Sequence, residues 1–186
     1  MALYVRPALA IEHAGLISLG CALALVRAAE VLGCRLQVKW PNDVLHEERK
    51  LAGILLESRF AGGTCARLLL GVGINVHQGP EDFPAALRDS ATSMDQILGR
   101  RIQRGELLAS YLKEVEAILD ALRAGRRESV LAAWRAAWPH RDRRARDEQG
   151  RVLRMLDVNA GGELLVESEA GREVLRGGDL SLLPPD

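Results

Sequence analysis

Aromatic residues make up only 4% of the 186-residue chain, cysteines number three, and the formal net charge is zero. With so few rings the core must be aliphatic, and little is left for stacking single-stranded bases. The balance of 25 Lys and Arg against 25 Asp and Glu argues against a chain that coats nucleic acid or an anionic membrane. Cys21, Cys34 and Cys65 are odd in number and widely spaced, with no CxxC pair. That excludes a disulfide framework or a cysteine zinc knuckle and suits a reducing compartment. The longest uncharged run, Ala14 to Val26, falls short of the roughly 18 apolar residues that span a bilayer. No basic stretch followed by a cleavable apolar one opens the chain. His13, His46, His77 and His140 lack HxxxH spacing, and no serine lies in a GxSxG context. A histidine metal site and a hydrolase elbow are therefore not indicated. These absences predict a soluble cytoplasmic protein that binds neither nucleic acid nor membrane.

What is present is 48% apolar, enough for a packed core. Leu3 to Arg6 reads as a strand, and Ala8 to Leu32, apolar nearly all round with Gly33 just beyond, as a buried helix with a glycine cap. Arg35 to Lys39 alternates as a strand; Leu51 to Phe60 and Cys65 to Val76 read as two more, joined through Gly62-Gly63 as a hairpin. Ser93 with Gln96 suggests a capping box for a short helix. The apolar stripe from Leu107 to Leu122 predicts a helix over Glu106 to Arg123, and Arg127 to Trp138 continues as another until Pro139. Beyond Pro139 short apolar runs alternate with glycine turns, the pattern of a small β-barrel. The expected organisation is a domain of residues 1–139 and a smaller one of residues 140–186, docked on the first because a barrel of that size is marginal alone. The stretch Arg141 to Arg146 reads as a solvated connector, and Trp134 and Trp138 as packing at the junction.

Three clusters stand out. Lys39-Trp40-Pro41-Asn42-Asp43 brings a lysine, an indole, an amide and a carboxylate to one strand end, although Pro-Asn-Asp is also ordinary turn chemistry. Arg49-Lys50-Leu51-Ala52-Gly53-Ile54-Leu55 places a lysine at a strand entrance and a glycine inside the strand. Gly71-Val72-Gly73-Ile74-Asn75 interrupts the next strand with two more glycines and opens no helix, so it is no dinucleotide fingerprint. A turn at Gly62-Gly63 puts Gly53 opposite Val72, or opposite Gly71 or Gly73 after a one-residue bulge. In each case the glycines neighbour one another and leave a bare patch. Either a flat ligand or a tightly crossing helix can occupy it.

Together, in this order and spacing, the three clusters resemble the central motifs of biotin protein ligases, and the run Gly178-Asp179-Leu180-Ser181-Leu182 resembles the end of that family's SH3-like C-terminal domain. The resemblance implies an α+β fold: a mixed β-sheet with packed helices, of the class II synthetase-like biotin/lipoate ligase type, plus a small SH3-like barrel. It implies ATP-dependent activation of biotin to biotinyl-5′-AMP and transfer to a lysine of a biotin carboxyl carrier domain, such as that of acetyl-CoA carboxylase. Lys50 is then the catalytic lysine at the biotin carboxylate and α-phosphate. Asp43 is the carboxylate that orients Mg²⁺ or the acceptor lysine. Gly53, Gly71 and Gly73 line the biotin and adenylate cleft, and Asn42, Asn75, Trp40 and Lys39 belong to the nucleotide site. Met1-Ala2-Leu3-Tyr4-Val5-Arg6-Pro7 resembles the strand that follows the family's Arg- and Gly-rich phosphate loop. Without that loop, weak or undetectable biotin binding is expected, as is an exposed sheet edge suited to a homodimer. A lipoate–protein ligase-like acyltransferase and an inactive fragment acting only as a binding module are the competing readings.

Overall fold

A computed structural model describes residues 1–7, 9–10 and 13–184. The first sheet contains β1 (Ala2–Val5), β2 (Leu9–Ala10), β3 (Gln37–Lys39), β4 (Asp43–His46), β5 (Arg49–Ala61) and β6 (Thr64–Ile74). Its order is β1-β6-β5-β4-β3, with β2 also on β6. The expected mixed sheet is corrected here. Among the described residues every strand pairing in it is antiparallel, and the one parallel element is an isolated bridge from Lys50 to Ala91. The helices are α1 (Ala14–Glu30), α2 (Met94–Leu98), α3 (Arg104–Arg123) and α4 (Arg127–Ala136).

Alternation along β5 and β6 sorts the sheet into two faces. Ile54, Leu68, Leu70 and Val72 are buried with Leu16, Ile17 and Leu25 of α1, whereas Leu55, Leu69 and Gly73 are exposed on the opposite face. Helix α1 is buried nearly all round because α3 and α4 pack against it as well. It ends as the sequence suggests: Gly33 at φ +83° donates its N–H to the Glu30 carbonyl at 2.9 Å, and Cys34 to that of Ala29 at 3.0 Å. The helix begins later than expected, at Ala14, because Leu9–Ala10 is drawn onto β6; Ala8, Ile11 and Glu12 of the anticipated helix lie outside the described residues. The Ser93 hydroxyl caps α2 by accepting from Gln96 N–H, but the Gln96 side chain turns to the Gln78 carbonyl, so the box is half formed. No described helix is long and apolar enough to cross a membrane.

The second sheet contains β7 (Arg144–Asp147), β8 (Val152–Val158), β9 (Leu164–Ser168), β10 (Gly171–Leu175) and β11 (Leu180–Leu182), in the order β10-β9-β8-β7-β11. Its end strands β10 and β11 do not pair with each other among the described residues, so it is an open sheet and not the closed barrel anticipated from its short strands. Its apolar face, with Leu153, Met155, Val166 and Leu180, joins the same core as the first sheet. A unit this small cannot enclose its own core, and sharing one removes the need for closure. Part of the Arg-rich connector is in fact β7. Ala145 is buried between exposed Arg144 and Arg146, and one inward methyl among arginines is a faint strand signal.

Helix α1 meets the second sheet through backbone. Gly15 at the start of α1 lies against Gly161 and Gly162 of the β8–β9 turn, where a Cβ on Gly15 would collide with the Gly161 carbonyl oxygen. Gly15→Ala should therefore cost about 1–3 kcal/mol in urea unfolding, because backbone on both sides cannot yield. Gly105→Ala, on open helical surface, should gain up to about 1 kcal/mol. Equal behaviour of the two variants would contradict this packing.

Candidate active site

Two β-bulges assemble the site. On β6, Arg59 faces Arg67 but Phe60 faces Cys65, so Ala66 is an extra residue and Gly53 lands opposite Gly73. This is one of the bulged registers anticipated from the hairpin. On β5, Val44 faces Ala52 but Leu45 faces Lys50, which makes Leu51 extra. Lys50 and Gly53 are an odd number of residues apart and would point to opposite faces of a regular strand; the bulge turns them to the same face. The Lys50 backbone is fixed from outside the sheet, donating to the Ser90 carbonyl at 2.7 Å and accepting from Thr92 N–H at 3.0 Å.

The result is a cleft of about 650 Å³ floored by Gly53, Gly71 and Gly73. Among the described residues no helix covers these glycines. A Cβ built on Gly73 would meet only the Gly53 carbonyl oxygen, at 4.0 Å, and one on Gly53 would touch the Lys50 side chain at 3.4 Å. The Lys50 ammonium lies 2.6 Å from Asp43 Oδ1; the lysine side chain is 51% exposed and the carboxylate 9%. A half-exposed cation therefore stands over bare peptide with a buried carboxylate behind it. This geometry suits an anion lying on the floor and a carboxylate placed to receive an amine. A second cleft of about 480 Å³ adjoins the first and shares Lys50, Gly53 and Gly73. Its remaining lining is more apolar, with Ile74, Phe83, Leu87 and Ala91 beside Asn75 and Gln78.

Other residues singled out from the sequence are placed as follows. Asn42 lines the first cleft, and its amide donates to the Ile54 carbonyl at 2.8 Å, fastening the β4 entrance to β5. Asn75 lines the second cleft. Lys39 sits beside the first, 3.8 Å from Asp43 Oδ2 and 3.4 Å from Asp179 Oδ1. Trp40 is a correction: it is 2% exposed, its indole N–H donates to the Gly162 carbonyl at 3.0 Å, and it lines neither cleft. It anchors the second sheet beneath the motif and offers no surface to a nucleotide. Asp43 also moves from the expected turn into β4, a strand missed because its turn to β5 uses Glu47 at φ 54° and no glycine. Sequence reasoning further missed Glu148 and Asp179, which form a wall of the first cleft from the second sheet. The glycine pair before Asp179 was the available signal.

For a divalent cation the donor set is poor. Among the described residues no three His, Cys, Asp or Glu side chains converge, and Asp43 already faces two ammonium groups. The residues present do not form a cage for Mg²⁺, and no step is assigned to a protein-held metal.

Near Arg143, Glu48 and Lys39, His140 is buried with Nδ1 unpartnered. Burial, followed by the Arg143 charge, pushes its pKa down to about 4, with Glu48 opposing and Lys39 adding slightly. The unfolded chain binds this proton near pH 6.5 and the native state does not, so stability should fall as the pH drops from about 6.5 towards 4, by about 3 kcal/mol in all. Relative to wild type, His140→Gln should lose less stability between pH 7 and pH 4.5 in denaturant titrations. Parallel losses would contradict the buried neutral imidazole.

Residues 5–75 match the biotin/lipoate A/B protein ligase family. The biotin–[acetyl-CoA-carboxylase] ligase of Paracoccus denitrificans is 34% identical over 185 residues, covering 93% of this chain and 75% of that protein. The bifunctional ligase/repressor BirA of Bacillus spizizenii is 30% identical over 98% of this chain and 57% of its own length. The chain spans only 35% of the Bacillus subtilis BirA, to which it is 36% identical over 113 residues. In fold, it matches the Aquifex aeolicus biotin protein ligase with a TM-score of 0.83 at 24% identity, covering 98% of this chain and 81% of that one. On the strength of the Paracoccus match across most of both sequences, the chain belongs to the biotin protein ligase family.

Proposed function

We propose that this chain is the catalytic part of a biotin protein ligase. It joins biotin to ATP with release of pyrophosphate and passes the biotinyl group from biotinyl-5′-AMP to a lysine of a biotin carboxyl carrier domain. One observation carries the reading: the Lys50 ammonium stands at the border of two clefts that share a floor of glycine backbone. A molecule made of a flat ring system, an acyl phosphate and a nucleoside needs that arrangement.

The first cleft takes biotin on Gly53, Gly71 and Gly73. Lys50 lies at the junction, where the biotin carboxylate attacks the α-phosphorus and negative charge gathers on the phosphate oxygens. A fixed ammonium there lowers the barrier, because the charge it meets is greater in the transition state than in either reactant. The second, more apolar cleft takes the adenine, with Asn75 and Gln78 for its polar edge. Mg²⁺, for which the described residues form no cage, would be supplied with the ATP. Asp43 receives the acceptor amine once the adenylate has formed. The Aquifex aeolicus ligase with a TM-score of 0.80 to this chain has been solved with biotin and ATP, which supports the same pairing of ligands here.

We extend the reading in three respects. The second sheet is the counterpart of the family's SH3-like domain. The outer edge of β1, beside exposed Tyr4 and Leu69, supports pairing with a second copy. The reaction takes place in the cytoplasm.

Biotin-dependent ATP–pyrophosphate exchange, with lipoate as control, tests the reading on this chain and on one extended upstream. Exchange with biotin and not lipoate is expected, lowered about 100- to 1000-fold by Lys50→Ala. Gly73→Val should abolish biotin-dependent exchange while leaving the melting temperature unchanged, since its side chain enters the cleft and not the core. Absence of biotin-dependent exchange from both chains, or full exchange in either variant, would contradict the assignment.

A further inference from the structure

Only three of the 25 Lys and Arg residues are lysine: Lys39, Lys50 and Lys113. The rest are arginine, which stays protonated and offers no lone pair to an acyl donor. This is pertinent if the chain makes an acyl adenylate, as proposed above. In acyl transfer an unprotonated amine attacks the carbonyl carbon. The N–C bond forms, the C–O bond to phosphate breaks, AMP departs, and the amine proton passes to a base or to water. A ligase therefore endangers its own amines, most of all those beside the reacting carbonyl.

Two of the three lysines stand there. Lys50 is engaged by Asp43 at 2.6 Å. Lys39 is shared between Asp43 and Asp179, at 3.8 and 3.4 Å, and its side chain is 16% exposed. Asp179 is itself fixed: its N–H donates to Glu148 Oε1 at 2.9 Å, and its Oδ1 accepts from Leu180 N–H at 2.9 Å. An ammonium held in an ion pair with carboxylates has no lone pair free. We propose that Asp179 is a positioning residue that accepts a hydrogen bond from Lys39 and, with Asp43 as a second counter-charge, holds Lys39 as an ion pair and so withholds it from acylation by the activated substrate. The carrier lysine meets Asp43 without a second carboxylate such as Asp179 on it, and is the amine that reacts. Selection of the acceptor then rests partly on silencing a resident competitor.

Lys113, exposed on α3, supplies an internal reference. The full chain is treated with a limiting amount of acetic acid N-hydroxysuccinimide ester, which needs no ligase activity, and acetylation at each lysine is read by mass spectrometry. Lys39 should react about tenfold more slowly than Lys113. Asp179→Asn should raise the Lys39-to-Lys113 ratio by about two- to fivefold, the range an exposed ion pair spans, and Asp179→Glu should restore it. An unchanged ratio in Asp179→Asn, or Lys39 reacting as fast as Lys113 in wild type, would overturn the proposal. A second arm supplies preformed biotinyl-5′-AMP as donor. Biotinylation of Lys39 that increases in Asp179→Asn supports the proposal in its full form. A shifted ester ratio with no labelling by the adenylate supports the tie on Lys39 and contradicts the ligase reading that gives it a purpose.

Discussion

Register between β5 and β6 is the constraint on which the site depends. Without the extra residue Ala66, Gly53 would face Val72, and Gly71 and Gly73 would turn into the core while Val72 stood in the cleft. Cross-strand partners share a face, so a single-residue slip exchanges floor for core. The cost of that slip is high. Leu68, Leu70 and Val72 would all leave the core for water, at about 1.5–3 kcal/mol for each side chain. The hydrophobic pattern of one face thus holds the bare patch on the other, although the glycines themselves contribute little to stability.

The second bulge, at Leu51, acts on chemistry and not on shape. It brings Lys50 onto the glycine face, and the parallel bridge to Ala91 holds the strand entrance from the side. The second sheet then completes the first cleft. Trp40 donates to the Gly162 carbonyl, Gly15 packs on the same turn, and Asp179 reaches Lys39. Motif residues 39–43 are thereby held between two sheets that share one core, which explains why the indole of Trp40 serves structure.

Much of this was legible in the sequence. Long apolar segments announced α1 and the two strands of the β5–β6 hairpin, a helical stripe announced α3, and the Gly62-Gly63 pair fixed the turn closely enough to make the three glycines neighbours. The missed features share one physical trait: their signals are carried by partners distant in sequence. β4 has four residues and a turn without glycine. β7 is a strand only because Ala145 finds the common core and its arginines face water. Asp179 enters the site from the far end of the chain, and Trp40 leaves it because its hydrogen-bond partner is residue 162. Closure of the C-terminal sheet was overpredicted because short strands with glycine turns do not reveal where their buried face will find a second layer.

The central claim is that side-chain-free backbone at Gly53, Gly71 and Gly73 is the surface on which the activated vitamin rests. Backbone amide resonances followed by nuclear magnetic resonance during titration with a non-hydrolysable biotinyl-adenylate analogue test it most directly, because weak binding still shifts them. The account predicts that the largest shifts fall on those three glycines and on Lys50. Saturable binding that moves other surfaces and leaves these four amides unperturbed would contradict it.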